Sequence, residues 1–360
     1  MSLLVATLAI QQDRRNMLRM RRRYLRDSTD PFSIPEARFI ELFCFSRAAV
    51  RELLVEMEPL MDTAVRNTFI PNSIRLCVAL HYYATGSYLR DDGQDFVCAI
   101  SKTMVSRILH QVTKILQNYL AQRYIILPTT LEQQNIVKQR FFNATRFPGV
   151  LGAIDCTHVK IKKPSSDVEY CYINRKGYFS KNVQLVCDFD LNILGCFARY
   201  GGSTHDAYIW ESSIIKSHML NAYTANGSTG WLLGDSGYPL QPWLMTPFRN
   251  VEHASQQRYN DSHARARNCV ERLNGVLKKV FACLSQDRGL MEDPSFAGSI
   301  ITACCTLHNI RKRFNLPLPE VDPPADLSDN QSSGDNVELV HVLNEGRAVR
   351  NIITRNHFYN

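Results

Sequence analysis

Apolar positions along the chain change rhythm once: up to about residue 128 they recur at helical spacing, and from Phe147 they gather into short runs that read as strands. In the first region Phe39, Ile40, Phe43, Val50, Leu53 and Leu54 predict a helix opened at Pro35-Glu36. A second helix carries Ile74, Cys77, Val78 and His81 on one stripe, with Gly86 as its C-terminal cap. The third begins after Ser101, a good N-cap, and turns Met104, Val105, Ile108, Leu109, Val112, Ile115 and Leu116 inward. Its outer face is Lys102, Thr103, Ser106, Arg107, His110 and Lys114. Helix, short turn and helix in this order form a helix-turn-helix pattern, whose second helix would offer short polar and basic side chains to bases and phosphates. An ordinary helical bundle produces the same stripes, so both readings stand.

In the second region Val150 to Asp155 is an apolar run ending in an acid. Asn182 to Phe189 and Ile193 to Ala198 follow with strand-like composition, which suggests a meander. The polar turn Gly201 to Asp206 feeds a helix through Ile209, Trp210, Ile214 and Ile215, with His205-Asp206 expected to cap it. Trp231 to Asp235 is a further apolar strand ending in an acid. After a polar stretch to Ser262, a helix buries Val270, Leu273, Val276, Leu277, Val280, Phe281 and Leu284, and on its other side stand Arg267, Glu271, Asn274 and Lys278. A helix from Phe296 to Phe314 closes the domain. The order β-β-β-α-β-α makes the fold class α/β, behind an all-α segment.

Composition narrows the function more than the fold. Of 360 residues 45% are apolar and 21% charged, which excludes disordered and fibrous classes. The net charge of +8 mildly favours a polyanionic partner. Seven arginines at 14, 15, 19, 21, 22, 23 and 26 make residues 1–30 a basic arm, read either as a nuclear import or phosphate-contact segment or as a solvated helix face. The 11 cysteines are odd in number, mostly inside apolar runs, and lack two-residue spacing, the pattern of packed, reduced thiols. Cys304 and His308 share a helix face, yet without a second pair they read as packing. Leu3 to Ile10 lacks the flanks of a targeting segment, and no run has the roughly 18 apolar residues of a spanning helix, so a membrane partner is not expected.

Three acids stand out by position: Asp155 and Asp235 at strand ends and Glu271 within a helix. Convergent carboxylates are hard oxygen ligands for magnesium or manganese, and two such ions can activate a water and stabilise the leaving oxygen in phosphodiester cleavage. Among 34 acids such a series also arises by chance. Beside them, His158 and Asp188 are read as support or packing, and Tyr170, Tyr172, Arg175, Lys176 and Tyr178 as a strand-binding or merely exposed hairpin.

The motifs around these acids are long and in order: Gly149-Val-Leu-Gly-Ala-Ile-Asp-Cys-Thr-His158, Tyr172 to Tyr178 leading to Val183–Asp188, Gly202-Ser-Thr-His-Asp206, Gly234-Asp-Ser-Gly-Tyr-Pro239, and Ala264-Arg-Ala-Arg-Asn-Cys-Val-Glu-Arg-Leu-Asn-Gly-Val-Leu-Lys278. Over residues 70 to 315 the chain resembles the PIF/Harbinger transposases, most of all their domesticated nuclease relatives. The resemblance implies an RNase H-like nuclease domain over 129–315, with Asp155, Asp235 and Glu271 as its metal-binding and catalytic acids and Mg2+, or alternatively Mn2+, as cofactor. It implies an N-terminal helix-turn-helix, nuclear action and a separate Myb-like DNA-binding partner; the helical domain over 31–128 is expected to contact DNA through Lys102, Thr103, Ser106, Arg107 and Lys114 of the outer face described above, with the cytoplasm as a second location and a homo-oligomer both left open. Cys156 departs from the Gly that many of these transposases carry there. A linker over 316–345 and a docking segment over 346–360 built on Val349, Ile352 and Ile353 complete the expected organisation. The competing readings are a regulator that binds DNA without turnover and a helical scaffold joined to an unrelated hydrolase.

Overall fold

The computed structural model describes residues 2–28, 30–62, 69–86, 100–227, 229–321 and 337–359. The basic arm is helical: α1 spans Ser2–Ser28, with Arg14, Arg15, Arg21 and Arg23 exposed. The first expected helix is two helices, α2 (Glu36–Phe43) and α3 (Arg47–Met57). Cys44 caps α2 in the left-handed region at φ 59°, and the Ser46 hydroxyl accepts from Ala49 N–H to start α3. α4 (Asn72–Thr85) is buried on almost every side and ends at Gly86, φ +69°, as its cap role requires. A Cβ at Gly86 would stand 2.9 Å from the Cys283 backbone. α5 (Lys102–Ile115) runs through a π-helical stretch, Leu116–Leu120, into α6 (Ala121–Tyr124). Ser101 holds the N-cap position of α5, but its side chain makes no capping bond. The turn expected between α4 and α5 lies outside the described residues.

α7 (Leu131–Thr145), opened by a reciprocal Thr130/Gln133 capping box, leads into the sheet. β1 (Val150–Lys160), β2 (Ser180–Cys187) and β3 (Ile193–Gly201) form the meander; α8 (Asp206–Glu211) and α9 (Ile214–Asn226) follow, separated where the Ser213 hydroxyl caps a new helix. β4 (Trp231–Leu233) and β5 (Leu244–Met245) come next, then α10 (Ala254–Val280), α11 (Pro294–Arg313) and α12 (Val337–Phe358). The strands lie in the order β3-β2-β1-β4-β5, with the meander pairs antiparallel and β1-β4 and β4-β5 parallel.

This mixed five-stranded sheet separates two apolar layers. Leu151, Ile154, Val186 and Leu232 pack with Trp210, Ile215 and Met219 of α8 and α9. The opposite core joins Val150, Ala153 and Val159 to α10 and α11, and continues without a break into the helices α2 to α5. α12 begins at Val337, inside the expected linker, because its apolar side has a place to go: Ile353 and Phe358 enter the main core and Arg350 lies over Phe248 at 3.9 Å. Val349 packs partly against that core, whereas Ile352 is exposed. Among the described residues no helix is long and apolar enough to cross a membrane.

Candidate functional site

Strand register brings the two aspartates together. In the parallel pair, Ala153 of β1 stands opposite Leu233 of β4, so Asp155 on β1 and Asp235 just past the end of β4 each follow this pair by two residues. Asp155 lies in the middle of β1, not at its end: the strand continues through Thr157 and Val159 to Lys160. Asp235 stands just beyond β4, where one carboxylate oxygen accepts from Gly237 N–H at 2.9 Å.

α10 supplies the rest. Alternation along β1 turns Asp155 and Thr157 to the same side, and the Arg267, Glu271, Asn274 and Lys278 stripe of α10 lies over them. Two residues of strand advance about 6.6 Å and four residues of helix about 6 Å, so contacts stay in step along both elements. Asn274 Nδ2 donates to Asp155 Oδ2 at 2.8 Å, and Lys278 Nζ to Thr157 Oγ1 at 2.7 Å. The Arg267 guanidinium enters between all three acids. Its Nη2 donates to Asp155 Oδ1 at 3.2 Å and lies 3.8 Å from Asp235 Oδ2, while Nη1 pairs with Glu271 Oε1 one helical turn away.

Burial pushes the Asp155 carboxyl up to about 7; Arg267 opposes that rise, and the carboxylates of Asp235, Asp206 and Glu271 add to it. Three carboxylates share that one guanidinium. Asp206 is the fourth acid facing the site, held by Asn182 Nδ2 at 2.8 Å and raised mainly by burial. It is the first residue of α8, and the preceding His205 occupies the N-cap position without a side-chain capping bond, so the expected cap is replaced by a contact across to β2. The signal for Asp206 was its place in the Gly202–Asp206 motif. Cys156 pairs with Tyr238 of the Gly234–Pro239 motif, Sγ to hydroxyl 3.2 Å, a contact that a glycine there would lack.

Positive charge borders the acids. Lys278 is lowered to about 8 by burial, with Asp155 opposing and Lys176 adding to the shift. Arg175 and Lys176, exposed on the turn before β2, face the same edge and, after burial and Lys278, help lower His158 to about 4. His158 bonds Ser180 Oγ at 3.0 Å and is a packing residue. Asp188 is taken up by the β2–β3 turn through Asn192. Cys304 and His308 are both fully buried, the histidine bonded to Leu191 O at 2.8 Å, in keeping with packing.

The donor set has the chemistry of a hard divalent cation: three carboxylates and Asn274 Oδ1, a buried acceptor without a hydrogen-bond partner among the described residues. Arg267 stands among these donors, and among the described residues no three His, Cys, Asp or Glu side chains lie close enough to hold one ion. The residues fit such an ion in kind, with Arg267 standing among them.

The expected DNA-contacting residues lie far along the chain on α5, where Lys102, Thr103, Arg107 and Lys114 are exposed and Ser106 half-buried. His110, expected on that outer face, instead stacks on Phe296 of α11 with ring centroids 3.6 Å apart. That contact puts this side of α5 against the sheet-covering helices.

Residues 154–309 match the family model described as DDE superfamily endonuclease, so this stretch is a domain of that class. The chain is 33% identical to "Putative nuclease HARBI1" of Xenopus laevis over 70% of its length and 71% of that protein, and 30% identical to the Homo sapiens protein of the same name over 75% and 78%. It is 26% identical to "Protein ALP1-like" of Arabidopsis thaliana over 66% of its own length and 59% of that protein. The chain belongs to the family of Harbinger transposase-derived nucleases. No solved structure matches it.

Proposed function

We propose that the protein is a metal-dependent DNA endonuclease of the DDE type on an RNase H-like sheet, derived from a transposase and acting in the nucleus beside a Myb-like DNA-binding partner. The observation that supports this most is the convergence of Asp155, Asp235 and Glu271, from β1, the loop after β4 and α10, on a single cationic group. The three acids would hold magnesium or manganese; when bound, the metal supplies Lewis-acid activation of water and stabilisation of the leaving oxygen, with two ions as the expected number. The chain's own groups bind and orient. Asn274 fixes the Asp155 carboxylate, Gly237 N–H fixes that of Asp235, and Lys278, Lys176 and Arg175 attract the phosphodiester backbone to the acidic edge. DNA binding away from the scissile bond falls to Lys102, Thr103, Ser106, Arg107 and Lys114.

The test is cleavage of labelled duplex and transposon-end DNA by the full chain with Mg2+, with and without a Myb-like protein. Asp155→Asn, Asp235→Asn and Glu271→Gln keep size and remove an anionic ligand, so each should lower cleavage by at least about a hundredfold (roughly 3 kcal/mol) while melting temperature and DNA affinity stay near wild type. Full cleavage by a folded Asp155 or Asp235 variant would sink the assignment. A second reading, a DNA-binding regulator without turnover, is favoured by Arg267, which already offsets charge on all three acids; wild-type binding without cleavage on every substrate would establish it.

A further inference from the structure

We infer that Arg267 is a resident counter-ion whose guanidinium takes the place of positive charge that a divalent cation would occupy, so that cation loading and withdrawal of Arg267 are one exchange. This rests on the nuclease reading above and adds to it a residue that is not a ligand but sets how readily the ligands are freed. Three observations carry it. First, the guanidinium touches carboxylates from three separate elements, β1, the loop after β4 and α10 itself, and no other described side chain does so. Its place is thus the meeting point of the acids.

Second, the fit is imperfect in a way that permits release. A planar guanidinium binds one carboxylate best through two parallel N–H bonds, but here it is shared, with Asp235 Oδ2 at 3.8 Å, beyond hydrogen-bond reach. Its buried Nε finds no acceptor among the described residues. Third, exposure is uneven: the Arg267 and Asp155 side chains are 16% and 15% exposed, and Asp235 is 36% exposed. The open side next to Asp235 gives a long side chain a way out toward solvent without unwinding α10. A dication arriving there brings twice the charge and accepts oxygen donors from all sides, including Asn274 Oδ1, which Arg267 leaves unpartnered. The opposing possibility is that Arg267 stays in place and orients the carboxylates around the ion.

Metal binding separates the two without relying on turnover. Mn2+ affinity by calorimetry, and the rise in melting temperature on adding Mn2+, are measured for the full chain and for Arg267→Gln and Arg267→Lys. Exchange predicts that Arg267→Gln melts lower without metal, binds Mn2+ about tenfold tighter, and gains more from it on melting, since stabilisation grows with ligand concentration over Kd. Arg267→Lys should fall between. Should the glutamine variant not fold, the wild-type protein with labelled arginine side chains still decides: Mg2+ should move the Arg267 Nε–H resonance. Equal or weaker Mn2+ binding by Arg267→Gln, or Mg2+ binding with that resonance unmoved, overturns the exchange and leaves the nuclease reading standing. No Mn2+ binding by wild type and variant alike overturns the metal-dependent reading and the exchange together.

Discussion

α10 and α11 lie against the same sheet and bury polar groups beneath it, yet they bury them to different ends. On α11, Asn309 donates to Ile193 O and Tyr124 O and accepts from Ile193 N–H, His308 bonds Leu191 O, and Arg311 bonds Pro317 O. Every one of these partners is main chain. The first half of α10 behaves alike: Asn260 pairs with the Phe248 backbone, Ser262 with Thr145 O and His263 with Met245 O. At Arg267 the pattern changes, and the next three turns address charged or hydroxyl side chains of β1 and the loop after β4. Buried polarity aimed at main chain satisfies groups that folding would otherwise strand; buried charge aimed at other charge is costly unless paired, and marks a candidate site.

The sharpest way to break this contrast is to remove apolar mass from α11. Ile300 is fully buried, and Ile300→Ala should cost about 2–5 kcal/mol of stability, read from denaturant unfolding, against almost none for Glu271→Gln. If Glu271→Gln costs as much, the stripe on α10 is structural stitching too. A smaller effect concerns pH. His308 is lowered from 6.5 to about 4, mainly by burial, and is thus held neutral in the fold while the unfolded chain takes up a proton. Its contribution is intact above pH 6.5, declines as pH falls toward 4, and declines no further below. Within that window it tilts stability by up to roughly 1.4 kcal/mol per pH unit. His308→Gln should flatten the slope and leave the similar share of His263, also lowered to about 4 by burial; an unchanged acid slope would show that the buried imidazole is not held neutral. The smallest effect tests α5, whose outer face presents exposed basic side chains rather than buried ones. Arg107→Glu should leave folding alone and flatten the salt dependence of DNA binding, each lost phosphate contact removing roughly 0.9 from the log-log slope.

Much of the candidate site was legible because its residues recur on two fixed periods. The stripe at 267, 271, 274 and 278 follows helical spacing, and the apolar runs ending at Asp155 and Asp235 follow the strand signal. What escaped has a common cause: burial under a partner the local pattern does not show. The strand pattern ends at Asp155 because Thr157 and Lys160 are polar, although Thr157 meets Lys278 rather than water. The first turns of α10 read as a polar stretch up to Ser262, although Ser262 and His263 are both buried. His110 fell on the outer face of α5 because one helix read alone cannot reveal that α11 covers it. β5, two residues long, has no period to read.

The phasing of α10 has a consequence for how its gene can vary. Core stripe and acid-facing stripe share one uninterrupted helix of 27 residues. A single inserted residue between Glu271 and Asn274 would turn everything beyond it by about 100° and advance it about 1.5 Å. Asn274 and Lys278 would leave β1 in the same event that drags Val276 and Leu277 out of the core. Exchanges of residue type at single positions can be absorbed one at a time, but a change in the length of this stretch strikes the candidate site and the core together. Coding variation here should therefore run to substitutions, with in-frame insertions and deletions confined to the connections on either side.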